Sequence, residues 1–180
     1  MALRYATMLL AAGTLAAILG VSAAEPEEAA AASAAGVRSC AGRTVDLSPD
    51  EARMLDLHNE ARTDRGLPRM CVHPALQRAA RAHSQEMLDR DYFSHDSANG
   101  DRFWVRLERF GYNWRTAGEN ILYDPGSPDS TQSVFRVWMQ SPDHKSNIIN
   151  GRFREVGVGA RSGNYKGSKA TMWTVDFGTR

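Results

Sequence analysis

The stretch Glu155-Val156-Gly157-Val158-Gly159-Ala160 decides how the rest of the chain must be assembled. Branched apolar residues alternate with glycine at the period of a strand, and the missing side chains let another backbone or a large side chain pack directly on that face. Two further strand signals flank it, Asn120 to Tyr123 before and Thr171 to Phe177 after. What comes earlier is helical. Ser48-Pro49-Asp50-Glu51 is a start signal: Ser48 caps, Pro49 suits the first helical position and Glu51 completes a capping box. That helix carries Met54, Leu55, His58 and Ala61 inward and stops near Gly66-Leu67-Pro68. Pro74 opens a second, in which Leu76, Ala79, Ala80, His83 and Met87 recur at three- and four-residue steps. Asp101 to Phe110 reads as a third helix, Ser130 to Met139 as a fourth with Val134, Val137 and Trp138 inward, and Ser141-Pro142-Asp143 starts a short fifth. Helices flanking a small, mainly antiparallel sheet in one α+β domain is the economical assembly of these elements.

The chain has 180 residues, 42% hydrophobic and 24% charged, which suits one compact domain and excludes disordered, collagen-like and coiled-coil chains. Twenty-two Lys+Arg against 21 Asp+Glu leave +1, too little for binding nucleic acid or an anionic membrane through bulk charge. The basic residues are mostly Arg and scattered, as on a solvated surface. Residues 1–24 read as a secretory signal peptide. Arg4 is followed by an uncharged Leu- and Ala-rich stretch from Met8 to Val21 and a small-x-small site at Val21-Ser22-Ala23. This predicts a secreted, extracellular protein with no stable membrane span after cleavage; the alternative is a retained anchor, because Tyr5 to Ala24 carry no charge. Residues 25–46 read as a disordered linker and N-terminal extension, six of the 13 residues from Glu25 to Val37 being Ala, and residues 47–180 as the folded domain. Cys40 and Cys71 are the only cysteines, and in an exported chain an even pair reads as one disulfide.

His58 and His83 fall on apolar helix faces and read as hydrogen-bonded core histidines. The tryptophans read mostly as core, with Trp114 in a loop that can line a cleft. Ser84 and Ser94 adjoin histidines without a Gly-x-Ser-x-Gly elbow, and Asp96 to Asp101 reads as a polar turn rather than a calcium loop. His95, Glu119 and His144 lie far apart in sequence. Brought together, they suit zinc or another divalent cation on His95 and His144, a general acid–base set, or a hydrogen-bonded network that fixes loops.

Six segments occur in one order: Leu57-His58-Asn59-Glu60-Ala61-Arg62; His83-Ser84 with Met87; Phe93-Ser94-His95; Gly118-Glu119-Asn120-Ile121; Trp138-Met139-Gln140-Ser141-Pro142-Asp143-His144 with Asn147-Ile148; and Val156-Gly157-Val158-Gly159. This set resembles the CAP superfamily, which joins cysteine-rich secretory proteins, antigen 5 and plant pathogenesis-related proteins, and it is most similar to bacterial secreted members of SCP type. The resemblance covers about Asp50 to Phe177 and implies an α-β-α sandwich with a central cleft. By motif, the family's two cleft histidines fall on His95 and His144 and its first acid on Glu119. The second acid of many eukaryotic members falls on Ser141, so the chain departs from that pattern. The resemblance implies a cleft that binds a metal ion, a small molecule, a lipid or sterol, or a cell-envelope fragment. The alternative is a metal- or His-dependent hydrolase acting on peptide or envelope polymer, with His95, Glu119 and His144 as its catalytic groups.

Overall fold

The structure, a computed structural model, describes residues 35–127 and 130–180. The signal-peptide reading of residues 1–24 and the linker reading of residues 25–34 lie outside the described residues. In chain order the elements are β1 (Ala35–Arg38), β2 (Thr44–Leu47), α1 (Pro49–Thr63), β3 (Cys71–Val72), α2 (Pro74–Asp89), α3 (Phe103–Arg109), β4 (Thr116–Asp124), α4 (Ser130–Gln140), α5 (Pro142–Ile148), β5 (Glu155–Tyr165) and β6 (Ser168–Thr179).

The capping box forms at α1: Glu51 N–H donates to Ser48 Oγ at 3.2 Å, and Ser48 N–H donates to Glu51 Oε2 at 3.0 Å. At α2 the cap is His73, whose Nδ1 accepts from Ala75 N–H. β5 and β6 form a hairpin through Lys166-Gly167, both at positive φ as a two-residue turn of this hand requires. The main sheet runs β3-β5-β6-β4, antiparallel except for the β3–β5 pair.

Helices cover both faces of this sheet, which makes an α-β-α sandwich. α2 and α3 lie on one face, and α1, α4 and α5 on the other. The glycine row explains the closeness of the first layer. A Cβ at Gly157 would overlap the backbone of Leu76 and Gln77, and one at Gly159 that of Ala80 and Arg81, so α2 rests directly on β5. Val156, Val158, Val175 and Phe177 point the other way into a core with Met54, Leu57, Trp138 and Ile148. Through this layer runs Arg62, fully buried, donating to the carbonyls of Pro68, Ile148, Asn150 and Phe153, each at 2.9 Å. The scattered arginines are therefore not all solvated: Arg62 and Arg106 lie inside.

Two sequence expectations are corrected here. Val137 faces solvent rather than the core, at 48% exposure, because α4 turns Val134 and Trp138 inward instead. Residues 35–46, expected as disordered extension, form most of a β1–β2 hairpin. Cys40 bonds to Cys71, as the even cysteine pair predicts, and Cys40 N–H donates to Val72 O at 2.9 Å, so the hairpin is tied to β3 by that covalent link and by a backbone link that composition does not reveal.

The sequence separation across the bridge is 31. Replacing both cysteines with serine is expected to cost about 3.5 kcal/mol by the chain-entropy relation. Urea midpoints of the oxidised parent and the double variant measure this, and a loss near zero would mean that the hairpin is not fixed through the bridge.

Candidate functional site

β4 is one of the two edge strands of the sheet, and its successive side chains leave by opposite faces. Glu119 and Ile121 turn toward the α2–α3 layer, where Ile121 packs with Met87 and Leu88. Asn120 turns toward α5, donating from Nδ2 to His144 O at 3.0 Å. Asn147 of α5 donates back to Glu119 O at 3.2 Å and to Asn120 Oδ1 at 2.9 Å. Gly118 has no Cβ because Asn147 and Phe153 occupy that space. Gly118-Glu119-Asn120 is thus the seam along which α5 docks on the open side of the sheet.

His95 arrives from the loop after α2. His83 is buried in α2 and donates from Nε2 to Ser94 O at 2.8 Å, while Arg106 of α3 donates to His95 O and Ser97 Oγ. These bonds hold the Phe93-Ser94-His95 turn against the edge of β4. His95 Nδ1 then donates to Glu119 Oε1 at 2.7 Å, and Arg106 Nη2 pairs with Glu119 Oε2. The Glu119 side chain is 1% exposed and that of His95 50%, so the acid is sealed and the imidazole faces water. Burial alone would raise the Glu119 carboxyl. The His95 hydrogen bond and the Arg106 charge outweigh it and hold the group below the usual carboxylate value.

His144, on α5, faces the same hollow. Its Nδ1 lies 2.9 Å from Ser141 Oγ, so the residue that stands where an acid was sought gives this ring its partner. Burial, then the neighbouring His95, push the His144 imidazole below its ordinary value. His83 is lowered to about 4 by burial and so stays neutral at physiological pH.

A cavity of about 740 Å³ opens beside β4, with His95 and His144 on its polar side and Phe93, Leu122, Tyr123 and Tyr165 on its apolar side. A second, of about 410 Å³, shares His95, Asp96 and Arg102 and continues past Trp104 to Asn147. The two meet at His95 as one groove. His95 and Glu119 are in direct contact, and His144 looks on to His95 from the other helical layer. Trp114 lies elsewhere, donating to Glu108, whereas Trp104, read as core, is 39% exposed at the groove. His58 is the core histidine expected: its Nδ1 donates to Met54 O and its ring sits among Phe135, Trp138 and Phe177. Sequence reading missed Arg106, Tyr123 and Tyr165. Arg106 carries no local signal, since its target lies 13 residues away on another element.

The metal expectation can be tested against the donors. His95 and His144 offer one free ring nitrogen each, because both Nδ1 atoms are engaged. Both oxygens of Glu119 are taken by His95 and Arg106. No group of three or more His, Cys, Asp or Glu among the described residues is arranged to hold a metal ion. A zinc site built from protein alone takes three or four ligands, and these two rings supply two nitrogens.

Residues 55–177 match the sequence model of the family described as CAP, cysteine-rich secretory protein family. Two relatives come from Bacillus subtilis (strain 168). The uncharacterized protein YkwD is 34% identical over 132 residues, covering 73% of this chain and 48% of YkwD. The uncharacterized membrane protein YlbC is 30% identical over 123 residues, covering 68% and 35%. The chain spans half or less of the length of these curated relatives. Among solved structures, an extracellular protein containing an SCP domain from Bacillus anthracis superimposes with a TM-score of 0.62 at 26% identity, over 77% of this chain and 47% of that one. An outer surface protein from Borrelia burgdorferi gives a TM-score of 0.64 at 18% identity over 76% and 96%, a likeness of fold.

Proposed function

The chain belongs to the cysteine-rich secretory protein family, and from that premise we propose that it is an extracellular binding module whose groove along β4 takes a small amphipathic ligand, a lipid, a sterol or a cell-envelope fragment. Export is supported by the leader read at residues 1–24 and by the description of the B. anthracis relative as extracellular. No helix of the described residues is long and apolar enough to cross a membrane.

One observation carries the binding reading: the groove passes both exposed-edge imidazoles on one side and an aromatic and aliphatic wall on the other. Its volume lies in the range of small-molecule sites, and few polar groups converge on it, which is the usual division between affinity and orientation. His95 is held by the buried Glu119, so its outer nitrogen is pre-oriented toward a polar group of the ligand. The apolar body lies against Leu122, Tyr123 and Tyr165.

A second reading rests on the same contact. An imidazole whose Nδ1 donates to a buried carboxylate presents Nε2 as a base, the relation found in base–orienter pairs. Ser94 Oγ accepts from Asp96 N–H and is tied into the turn, so water would be the attacking group on peptide or envelope polymer.

Native mass spectrometry of the full chain with a fatty acid, a sterol and an envelope glycan fragment tests both readings. One class is expected to be retained without turnover, with affinity falling at least tenfold in His95→Ala/His144→Ala. The fold should survive, because both rings are only part-buried. If no class is retained, the binding reading is wrong; cleavage of the fragment that is lost in the double variant establishes the hydrolase instead.

A further inference from the structure

Asp176 lies on β6 directly opposite Glu119 of β4 and Gly157 of β5. Its side chain is fully buried, and neither carboxyl oxygen meets a hydrogen-bond donor among the described residues. α2 seals the row from above, its Leu76–Gln77 backbone resting on Gly157. The charged and titratable groups facing this pocket are Glu119 from β4 and Arg106 from α3, with His95 from the loop and His83 from α2 behind Glu119. Arg106 is already paired with Glu119. A second bare carboxylate would leave two buried anions against one guanidinium. Side chains directly opposite on a ladder stand about 5 Å apart at Cβ, so two sets of acceptor oxygens face each other at close range. One shared proton resolves that conflict.

We propose that Asp176 is a second acid of this site, a neutral carboxylic acid whose O–H donates to the Glu119 carboxylate and positions it under His95. The family pattern's second acid falls on Ser141; this one comes from another strand and from the sealed side of Glu119. The proposal does not depend on what the groove binds. Burial, then the Glu119 charge, hold the Asp176 carboxyl well above the usual carboxylate range. The folded chain therefore keeps a proton that the unfolded chain releases above about pH 4. As pH rises from there toward the folded value, the folding constant falls by about tenfold per unit. Asp176→Asn keeps the donor and lacks this decline.

Chemical denaturation of the full chain and D176N from pH 4 to 8 reads the effect. The ratio of folding constants, variant over parent, is expected to grow about tenfold per pH unit from about pH 4 up to the folded value of Asp176 and to level off above it. Carbon-13 NMR of the parent should show the Asp176 carboxyl titrating well above the surface aspartates, a reading that needs no variant to fold. The downfield Nδ1–H signal of His95 reports its contact with Glu119 and is expected to persist in D176N and weaken in D176A. Parallel stability profiles, a carboxyl that titrates below pH 5 with surface aspartates, or equal His95 signals in the two variants would overturn the proposal.

Discussion

Replacing Arg62 with alanine is expected to cost about 5 kcal/mol and to leave little folded protein at 37 °C. The guanidinium is fully buried and has no carboxylate partner among the described residues; its hydrogen bonds run to the carbonyls of Pro68, Ile148, Asn150 and Phe153. Ile148 is the last residue of α5, so a cation sits at the negative end of that helix and also closes the loop leading into β5. Burial, then Arg154, lower the Arg62 value, yet a guanidinium remains charged across the physiological range. Removing it strands four carbonyls in a dry site at about 1–3 kcal/mol each, partly relieved by water that enters the space. Arg62→Lys keeps the charge but not the planar fork, and about half the loss is expected, because one ammonium cannot reach all four oxygens. Urea unfolding of the parent and both variants, compared at constant m, measures this. Losses below about 1 kcal/mol for Arg62→Ala would mean that the loop 149–154 is held by other contacts.

Arg62 also shows where sequence reading stops. The α1 start was legible because every participant in a capping box lies within four residues, and both bonds form. The Val-Gly alternation was legible because a missing Cβ has one purpose in a strand, and α2 does fill the space at Gly157 and Gly159. The family likeness placed His95, Glu119 and His144, and the fold brings them to one groove. What stayed hidden is non-local. Arg62 reaches targets 86 to 91 residues away, and nothing in Asn59-Glu60-Ala61-Arg62 says whether the chain turns inward there. The partner of Asp176 is set by the register of two strands that lie far apart in the sequence. Strand ends failed for a related reason. Thr171 to Phe177 was read, whereas β6 runs from Ser168 to Thr179, because its outer residues are held by ladder partners rather than by an apolar pattern of their own. Val137 and Trp104 looked like core because they are large and apolar, and only the packing of α4 and α3 shows both to be exposed.

Glu119→Gln is expected to cost about 4 kcal/mol at pH 7, since it leaves the Arg106 guanidinium, itself almost fully buried, without an anion. The sign of the pH dependence follows from Glu119 having a folded value below its ordinary one. Such a group stabilises the fold above its unfolded value, about pH 4, and that contribution is lost as pH falls through the lower folded value. Parent and variant should therefore converge in strongly acidic solution and separate toward neutrality, the reverse of the trend expected for Asp176→Asn. The two sites are coupled. Once Glu119 is neutral, the reason for Asp176 to keep its proton weakens, and its carboxylate becomes the nearest anion for Arg106. Part of the cost of Glu119→Gln is recovered in this way. In an Asp176→Asn background that recovery is blocked, and the loss is expected to rise to about 5 kcal/mol, a non-additivity that a double-mutant cycle measures directly. Strict additivity would show that the two carboxyls do not share a proton; a loss below about 1 kcal/mol in both backgrounds would show that Arg106 finds another partner and that Glu119 does not anchor the groove.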